Sequence, residues 1–212
     1  LDGLLDVSRL DAGALRPELS DFDAAELLRE LAAQYAPMAA ARTIDIRIHA
    51  PALPVRSDRR LLRRVLQNFI ANALRYTPRG RVVLAARRRG DGIALQVWDT
   101  GPGIPEHHMR QIYDEFHRYE QPFDWDGRGL GLGLSICQRI SRLLGHALDA
   151  RSMPGRGSMF SIVVPRAQSA PVRDHAAATV DMQRTLDGLC VLCVDNDSDI
   201  LAGMDALLSR WG

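Results

Sequence analysis

Two asparagines and an arginine recur at intervals of four and three residues in a segment with helical periodicity. Asn68, Asn72 and Arg75 form one stripe of the predicted helix 58–76, rotated roughly 120° from its apolar face. Amide oxygens are hard ligands that Mg²⁺ accepts together with phosphate oxygens, and a planar guanidinium suits phosphate. The stripe therefore predicts a site for a metal-bound phosphate. A solvated polar face is the alternative that this helix alone leaves open.

An aspartate continues the apolar face of a predicted strand, 93–99. Asp99 must find hydrogen-bond donors on that face, because an unpaired carboxylate is costly to bury. An ionised aspartate only accepts hydrogen bonds, and the amino group of adenine would be one such donor. Gly101 and Gly103 would let the backbone pass close to a flat ring. A turn-capping aspartate with two turn glycines is the alternative. The residues of like parity are Ile93, Leu95, Val97 and Asp99.

Glycine alternates with other residues, mainly leucine, over 127–134, directly before a predicted helix, 132–144. Glycines at alternate positions leave several backbone N–H groups free to point at one anion, and the helix N-terminus adds a positive dipole. No Gly-Lys-Ser/Thr occurs, so a Walker-type phosphate loop is excluded. The dinucleotide fingerprint also fails, because Leu134 stands where its last glycine belongs. A flexible linker is the alternative.

The rest of the pattern predicts the elements that would position these groups. A helix is predicted to begin at an N-cap residue within 21–23, and Pro37 should kink or end this helix. Residues 101–131 predict a lid or binding loop with only a short helical piece near 107–116. The predicted strands are 44–49, 82–88, 93–99, 146–152 and 158–165.

Composition narrows the classes of function. The 212 residues carry 27 Lys+Arg and 26 Asp+Glu, a net charge of +1, so no overall field draws the chain to nucleic acid or anionic lipid. The longest apolar runs, such as 189–194, fall short of the roughly 20 residues of a membrane helix. Three cysteines, an odd number, suit a reducing compartment and predict a cytoplasmic location.

Five ordered blocks resemble the catalytic ATP-binding domain of bacterial sensor histidine kinases, in the family shared with gyrase-type and chaperone-type ATPases. The resemblance implies an α/β (α+β) fold, a two-layer sandwich of a mixed β-sheet covered by helices, with 105–128 as an ATP lid. The blocks are similar to the family's N box, first glycine box, F box, second glycine box and third glycine box, in that order: 66–77, 99–104, 112–118, 129–134 and 155–158.

The resemblance also implies a role for individual residues. Asn72 would ligate Mg²⁺, and Asn68 would support the metal and the phosphates. Arg75 would contact phosphate beside Tyr76, and Asp99 would bond the adenine amino group. The implied catalytic residues are Asn68, Asn72 and Arg75. The implied ATP-binding residues are these three together with Tyr76, Asp99, Gly101, Gly103, Ile104, Tyr113, Phe116, Arg118, Gly129, Leu130, Gly131, Leu132, Gly133, Leu134 and Ser158.

One sequence position distinguishes the hydrolytic members of that family from those that transfer phosphate. Its hydrolytic members place a glutamate four residues before the metal-binding asparagine, as general base for water. Here that position is Asn68, whose amide cannot take a proton. The resemblance therefore implies transfer of the ATP γ-phosphate to a histidine on an upstream dimerisation domain. A conformational ATPase, and a degenerate nucleotide-binding or docking module without transfer activity, remain the alternatives.

The resemblance implies a domain order along the chain. Residues 1–20 look like the tail of the dimerisation and phosphoacceptor domain, and 21–166 like the ATP-binding domain. A linker, 167–187, then leads to 188–212, which is similar to the start of a response-regulator receiver domain. The partners implied are these two domains, within a homodimeric parent of which this chain would be a monomeric fragment, without nucleic acid or membrane contact. None of the histidines has the acceptor motif, so the chain alone is not expected to autophosphorylate.

Overall fold

Five strands form one sheet in the computed structural model, which describes residues 16–115 and 131–167. Residues 1–15, 116–130 and 168–212 lie outside the described ranges. The elements, in chain order, are β1 (Ser20–Asp23), α1 (Ala24–Ala41), β2 (Ile44–His49), β3 (Pro54–Ser57), α2 (Arg59–Tyr76), β4 (Gly80–Arg89), β5 (Gly92–Asp99), α3 (Glu106–Met109), α4 (Gly133–Leu144), β6 (Ala147–Met153) and β7 (Gly157–Pro165).

The sheet is mixed, with the order β2-β4-β5-β7-β6. β2 pairs with β4 in parallel, and the other neighbours pair antiparallel. The turn between β4 and β5 contains Gly90 at φ +56°, the left-handed conformation that a tight hairpin requires. The mixed sheet that the resemblance implies is confirmed.

One face of this sheet packs against the helices. The apolar side of α2 is fully buried, and its Phe69 ring lies 5.6 Å from the ring of Phe160 on β7, centroid to centroid. Alternate side chains of the central strands pack into the same core, because successive side chains of a strand point to opposite faces of the sheet. The fold is therefore a two-layer α/β sandwich, as predicted. The central-strand residues in the core include Val82, Leu84, Ala86, Ile93, Leu95, Val97, Phe160, Ile162 and Val164.

The helix boundaries follow from local signals, with one exception. Asp23 and Asp58 cap α1 and α2 through their carboxylates, and Gly145 ends α4 at φ +67°. Of the two expectations for Pro37, a kink or an end, the end is wrong, because α1 continues to Ala41. Proline removes one helical hydrogen bond, but Ala39 beyond it is buried, so packing continues across the proline.

Two short features differ from the predictions. β1 and β3 form a separate antiparallel two-stranded sheet that the sequence pattern did not reveal. Each strand has four residues, too few to show a period. The helical piece expected at 107–116 is confined to α3, and turns follow it up to residue 115. Among the described residues, no helix is both long and apolar enough to span a membrane.

Candidate functional site

The polar stripe of α2 lies on its half-buried side, where Asn68, Asn72 and Arg75 are neither core nor fully exposed. The Asn68 amide donates to the carbonyl oxygen of Arg64, 3.1 Å away, which fixes the orientation of its carboxamide. The Asn72 carboxamide makes no hydrogen bond to a residue within the described ranges. One amide is therefore held in place by its own helix, and the second is available to a ligand.

The start of α4 faces this stripe. A Cβ built on Gly133 would lie 2.7 Å from Asn68 Oδ1, so the two helices meet as closely as glycine allows. Gly131 enters the helix at φ +70°, and the cap residue Leu132 supplies no side-chain acceptor. The first backbone N–H groups of α4 thus have no side-chain cap, the condition in which a helix N-terminus binds an anion. Leu134 is half-buried against the core.

Asp99 ends β5 with one carboxylate oxygen held by the backbone. Its Oδ1 accepts from the N–H of Gly101 at 2.8 Å and of Ser158 at 3.2 Å. Burial raises the pKa of Asp99 above its ordinary value, and the hydrogen bonds from these two residues oppose that shift. Neither backbone bond uses Oδ2, so that oxygen can accept a hydrogen bond from a ligand.

The end of α2 and the loop after β5 are in direct contact. A Cβ on Gly101 would lie 2.7 Å from the carbonyl oxygen of Tyr76 and 2.9 Å from Asp99 Oδ1. Only glycine leaves room for this approach. The structure therefore brings the helix that carries the asparagines next to the aspartate.

The β6–β7 turn closes the other side of Asp99. Gly157, at φ +107°, passes so close to the Asp99 carbonyl oxygen that a Cβ would collide with it. A Cβ on Gly103, at φ +73°, would likewise collide with the carbonyl oxygen of Met153. Ser158 is buried and donates to Asp99, as described above. The first and third glycine blocks therefore pack against each other.

The remaining predicted site residues are placed less centrally or lie outside the described ranges. Ile104 is attached to β6 through a hydrogen bond from its N–H to Ser152 Oγ, 2.7 Å long. Tyr113 lies in the turns after α3, where burial and, to a smaller extent, the charges of Cys137 and Asp149 raise its pKa to about 12. Four predicted residues fall outside the described ranges: Phe116, Arg118, Gly129 and Leu130.

Two polar residues at or near this site are not among the predicted site residues, although Thr77 ends the block 66–77. Ser152 bridges the loop and the third glycine block, yet nothing in its spacing distinguishes it from other strand serines. Thr77 is buried, and its Oγ1 would lie 3.3 Å from a Cβ on Gly101. No group of three or more His, Cys, Asp or Glu residues in the described ranges could hold a metal ion by itself.

Comparison with known proteins gives a family match. The model of the family described as histidine kinase-, DNA gyrase B-, and HSP90-like ATPase matches residues 57–168. Sensor histidine kinase RcsC of Escherichia coli (strain K12) is 29% identical over 168 residues, which are 78% of this chain and 18% of that protein. Alginate biosynthesis sensor protein KinB of Pseudomonas aeruginosa is 34% identical over 171 residues, which are 78% of this chain and 28% of that protein.

Solved structures match the fold over most of the chain. The crystal structure of full-length ShkA in complex with AMPPNP has a TM-score of 0.72 at 31% identity, covering 80% of this chain and 35% of that one. The catalytic domain of histidine kinase ThkA has a TM-score of 0.62 at 27% identity, covering 70% of this chain and 96% of that one. The chain thus spans less than a third of the curated relatives RcsC and KinB, and nearly all of an isolated catalytic domain.

Proposed function

The chain belongs to the histidine kinase-, DNA gyrase B- and HSP90-like ATPase family, and on that premise we propose that it binds Mg²⁺-ATP and transfers the γ-phosphoryl group to a histidine in two-component signalling. The observation that carries the proposal is the meeting of three segments. Asn68 on α2 faces the start of α4 at Gly133, and the end of α2 contacts the Asp99 loop at Gly101. Among the relatives, RcsC is a sensor histidine kinase and ThkA is a histidine kinase, and the ShkA structure holds AMPPNP, an ATP analogue.

Asp99 would select the base. Its Oδ1 is occupied by two backbone donors, so Oδ2 would accept from the amino group of adenine. Gly101 leaves the flat ring room to approach the backbone, and the Tyr76 carbonyl lies at the same place. A base without an amino donor at this position would leave the half-buried carboxylate unpaired, which costs binding energy.

The phosphates would lie between α2 and α4. The uncapped N–H groups of α4 supply a positive dipole end, and Arg75 supplies a guanidinium from the same stripe as the asparagines. The nucleotide would also contact the following described residues: Gly103, Ile104, Tyr113, Gly131, Leu132, Gly133, Leu134 and Ser158.

The donor set fits a magnesium ion that is held largely by the nucleotide. Mg²⁺ takes few protein ligands and several phosphate oxygens and waters, and the described residues offer amide oxygens rather than an acidic cluster. Asn72, whose carboxamide has no described partner, would hold the ion, and Asn68 would support it. When bound, the ion neutralises phosphate charge; the chain's own residues orient the triphosphate.

Asn68 favours transfer over hydrolysis. A carboxamide cannot accept the proton of an attacking water as a carboxylate can. In the transfer proposed here, the bond from the γ-phosphorus to the bridging oxygen of ADP breaks. A bond from the phosphorus to an imidazole nitrogen forms, and the imidazole releases a proton to solvent. Positioning and charge neutralisation are enough for this step.

The partner would be a helical dimerisation domain that carries the acceptor histidine. We propose 21–166 as the ATP-binding domain, preceded by the tail of that helical domain and followed by a linker, 167–187, and the start of a receiver domain. The parent would be a homodimer, because the acceptor domain is the dimerisation domain. Asp195 matches the first acidic ligand of the receiver family, whereas Asn196 departs from the second.

Labelled ATP tests the proposal. The chain should bind Mg²⁺-ATP in calorimetry and remain unlabelled with γ-labelled ATP, since its acceptor is elsewhere. A polypeptide extended upstream to include the dimerisation helices should acquire acid-labile label, and Asn72→Ala should abolish that label. Failure to bind ATP at millimolar concentration would overturn the proposal. Hydrolysis that is lost in Asn72→Ala, without any labelling of the extended protein, would favour the conformational ATPase.

A further inference from the structure

A serine hydroxyl on β6 joins three segments of the site. Ser152 Oγ accepts from the N–H of Ile104 at 2.7 Å, and it lies 2.9 Å from Ser158 Oγ and 3.1 Å from the carbonyl oxygen of Gly157. Ile104 lies in the loop after β5, and Ser158 is the residue whose backbone N–H donates to Asp99. Ser152 therefore connects that loop to the start of β7, at the point where β7 meets the carboxylate.

The contacts of Ser152 reach the aspartate through the start of β7. Ser152 Oγ donates to the carbonyl oxygen of Gly157, and its contact with Ser158 Oγ can run in either direction. The backbone N–H of Ser158 donates to Asp99 Oδ1, and the hydrogen bonds from Ser158 oppose the rise that burial causes in the pKa of Asp99. Ser152 thus holds two successive residues of the segment that contacts the carboxylate.

We propose that Ser152 is a positioning residue for base recognition, because it orients Ser158 and Ile104 and, through them, the Asp99 carboxylate. The inference rests on the proposed function, in which Asp99 Oδ2 accepts from the amino group of adenine. Without the Ser152 hydroxyl, Ser158 Oγ and the carbonyl oxygen of Gly157 each lose a partner, so the start of β7 is held less firmly beside Asp99. The Ile104 N–H loses its acceptor at the same time, so the loop that follows the aspartate is less constrained.

Other contacts keep the two loops together when this hydroxyl is removed. The N–H of Gly155 donates to the carbonyl oxygen of Pro102 at 2.7 Å, and Asp99 Oδ1 keeps its bond from the Gly101 N–H. Ser152→Ala deletes a single oxygen and leaves these backbone contacts in place. The variant is therefore expected to fold, and its effect should be confined to the orientation of the carboxylate.

The test compares two nucleotides that differ only in the group that Asp99 would recognise. Calorimetry with the full chain measures binding of ATP and of purine riboside triphosphate, which lacks the exocyclic amino group. Ser152→Ala should weaken ATP about 3- to 10-fold, the net effect of one neutral hydrogen bond, and should change binding of the purine riboside nucleotide by less than about twofold. Ser152→Thr, which keeps the hydroxyl, should restore ATP binding.

A matched control is Ser161→Ala, which removes another serine hydroxyl bond between β6 and β7, to the carbonyl oxygen of Asp149. It should leave both affinities unchanged. Equal loss of both nucleotides in Ser152→Ala, or no loss at all, would overturn the inference while the proposed function stands, provided that Asp99→Asn selectively weakens ATP. If the wild-type chain binds neither nucleotide, the proposed function and this inference fail together.

Discussion

Asn68 and Gly133 approach each other so closely that a single methyl group would not fit between them. A Cβ on Gly133 would lie 2.7 Å from Asn68 Oδ1, closer than real Cβ atoms come to a neighbour. The Asn68 amide is already committed to the Arg64 carbonyl, so its oxygen has little freedom to move aside. This contact sets the distance between the polar stripe of α2 and the N-terminus of α4, the two surfaces between which the phosphates would lie.

Gly133→Ala should therefore destabilise the fold despite its better helix propensity. Alanine gains up to about 1 kcal/mol over glycine in a helix interior, whereas overpacking a tight contact costs about 1–3 kcal/mol. We expect a lower urea midpoint and weaker ATP binding. In an Asn68→Ala background the same change should be neutral or stabilising, since the oxygen it meets is gone. Equal effects in both backgrounds would show that this contact does not limit the approach.

Asp99→Asn should reduce the affinity for ATP by about 1–3 kcal/mol, because a charge-assisted hydrogen bond to the amino group is lost. Stability without nucleotide should change less, since burial already disfavours the charged form of this residue. Calorimetry measures the affinity, and Asp91→Asn, in the exposed turn between β4 and β5, is the control. An unchanged ATP affinity would contradict the placement of adenine at Asp99.

Asn72→Ala should make ATP binding insensitive to magnesium. Loss of even an outer-shell partner of a bound metal costs about 10- to 100-fold, so we expect at least a tenfold weaker affinity in Mg²⁺ and little change in the presence of a chelator. Gln67→Ala is the control, because that side chain lies on the same helix but bonds to Gln34 of α1. A loss of equal size with and without Mg²⁺ would argue that Asn72 contacts the nucleotide rather than the metal.

His146 should make stability depend on pH. Its ring is buried, with Nε2 2.8 Å from Ser57 Oγ, and burial lowers its pKa below the ordinary value of 6.5. Below that value the unfolded chain binds a proton that the folded chain resists. Protonation of His146 therefore costs no free energy of unfolding above pH 6.5. Between pH 6.5 and the lower, folded-state pKa, the free energy of unfolding decreases as the pH falls, by at most about 1.4 kcal/mol per pH unit.

Urea unfolding between pH 7.5 and pH 5 measures this effect. His146→Gln should have a smaller loss of stability on acidification than the wild type, and His49→Gln, an exposed histidine on β2, should follow the wild type. Parallel curves for His146→Gln and the wild type would show that His146 does not contribute to the acid sensitivity.

Local sequence determined the elements and their polar stripes. The caps at Asp23 and Asp58, the glycine end of α4 and the alternation of β5 each depend on residues a few positions apart, so their physics can be read from the chain. The same applies to the asparagine stripe of α2. Pro37 shows the limit of such rules, since packing beyond the proline sustained a helix that local propensity would end.

Tertiary structure decided which of these groups meet, and how. The bond from Ile104 to Ser152 spans 48 positions, and the bond from Ser158 to Asp99 spans 59. No local pattern encodes the direction of a hydroxyl whose partners lie on other strands. The order of the blocks implied that asparagines, aspartate and glycines belong to one site. Which oxygen of Asp99 stays available, and which glycine limits the approach of α4 to Asn68, follow only from the packing of two helices and two loops against one sheet.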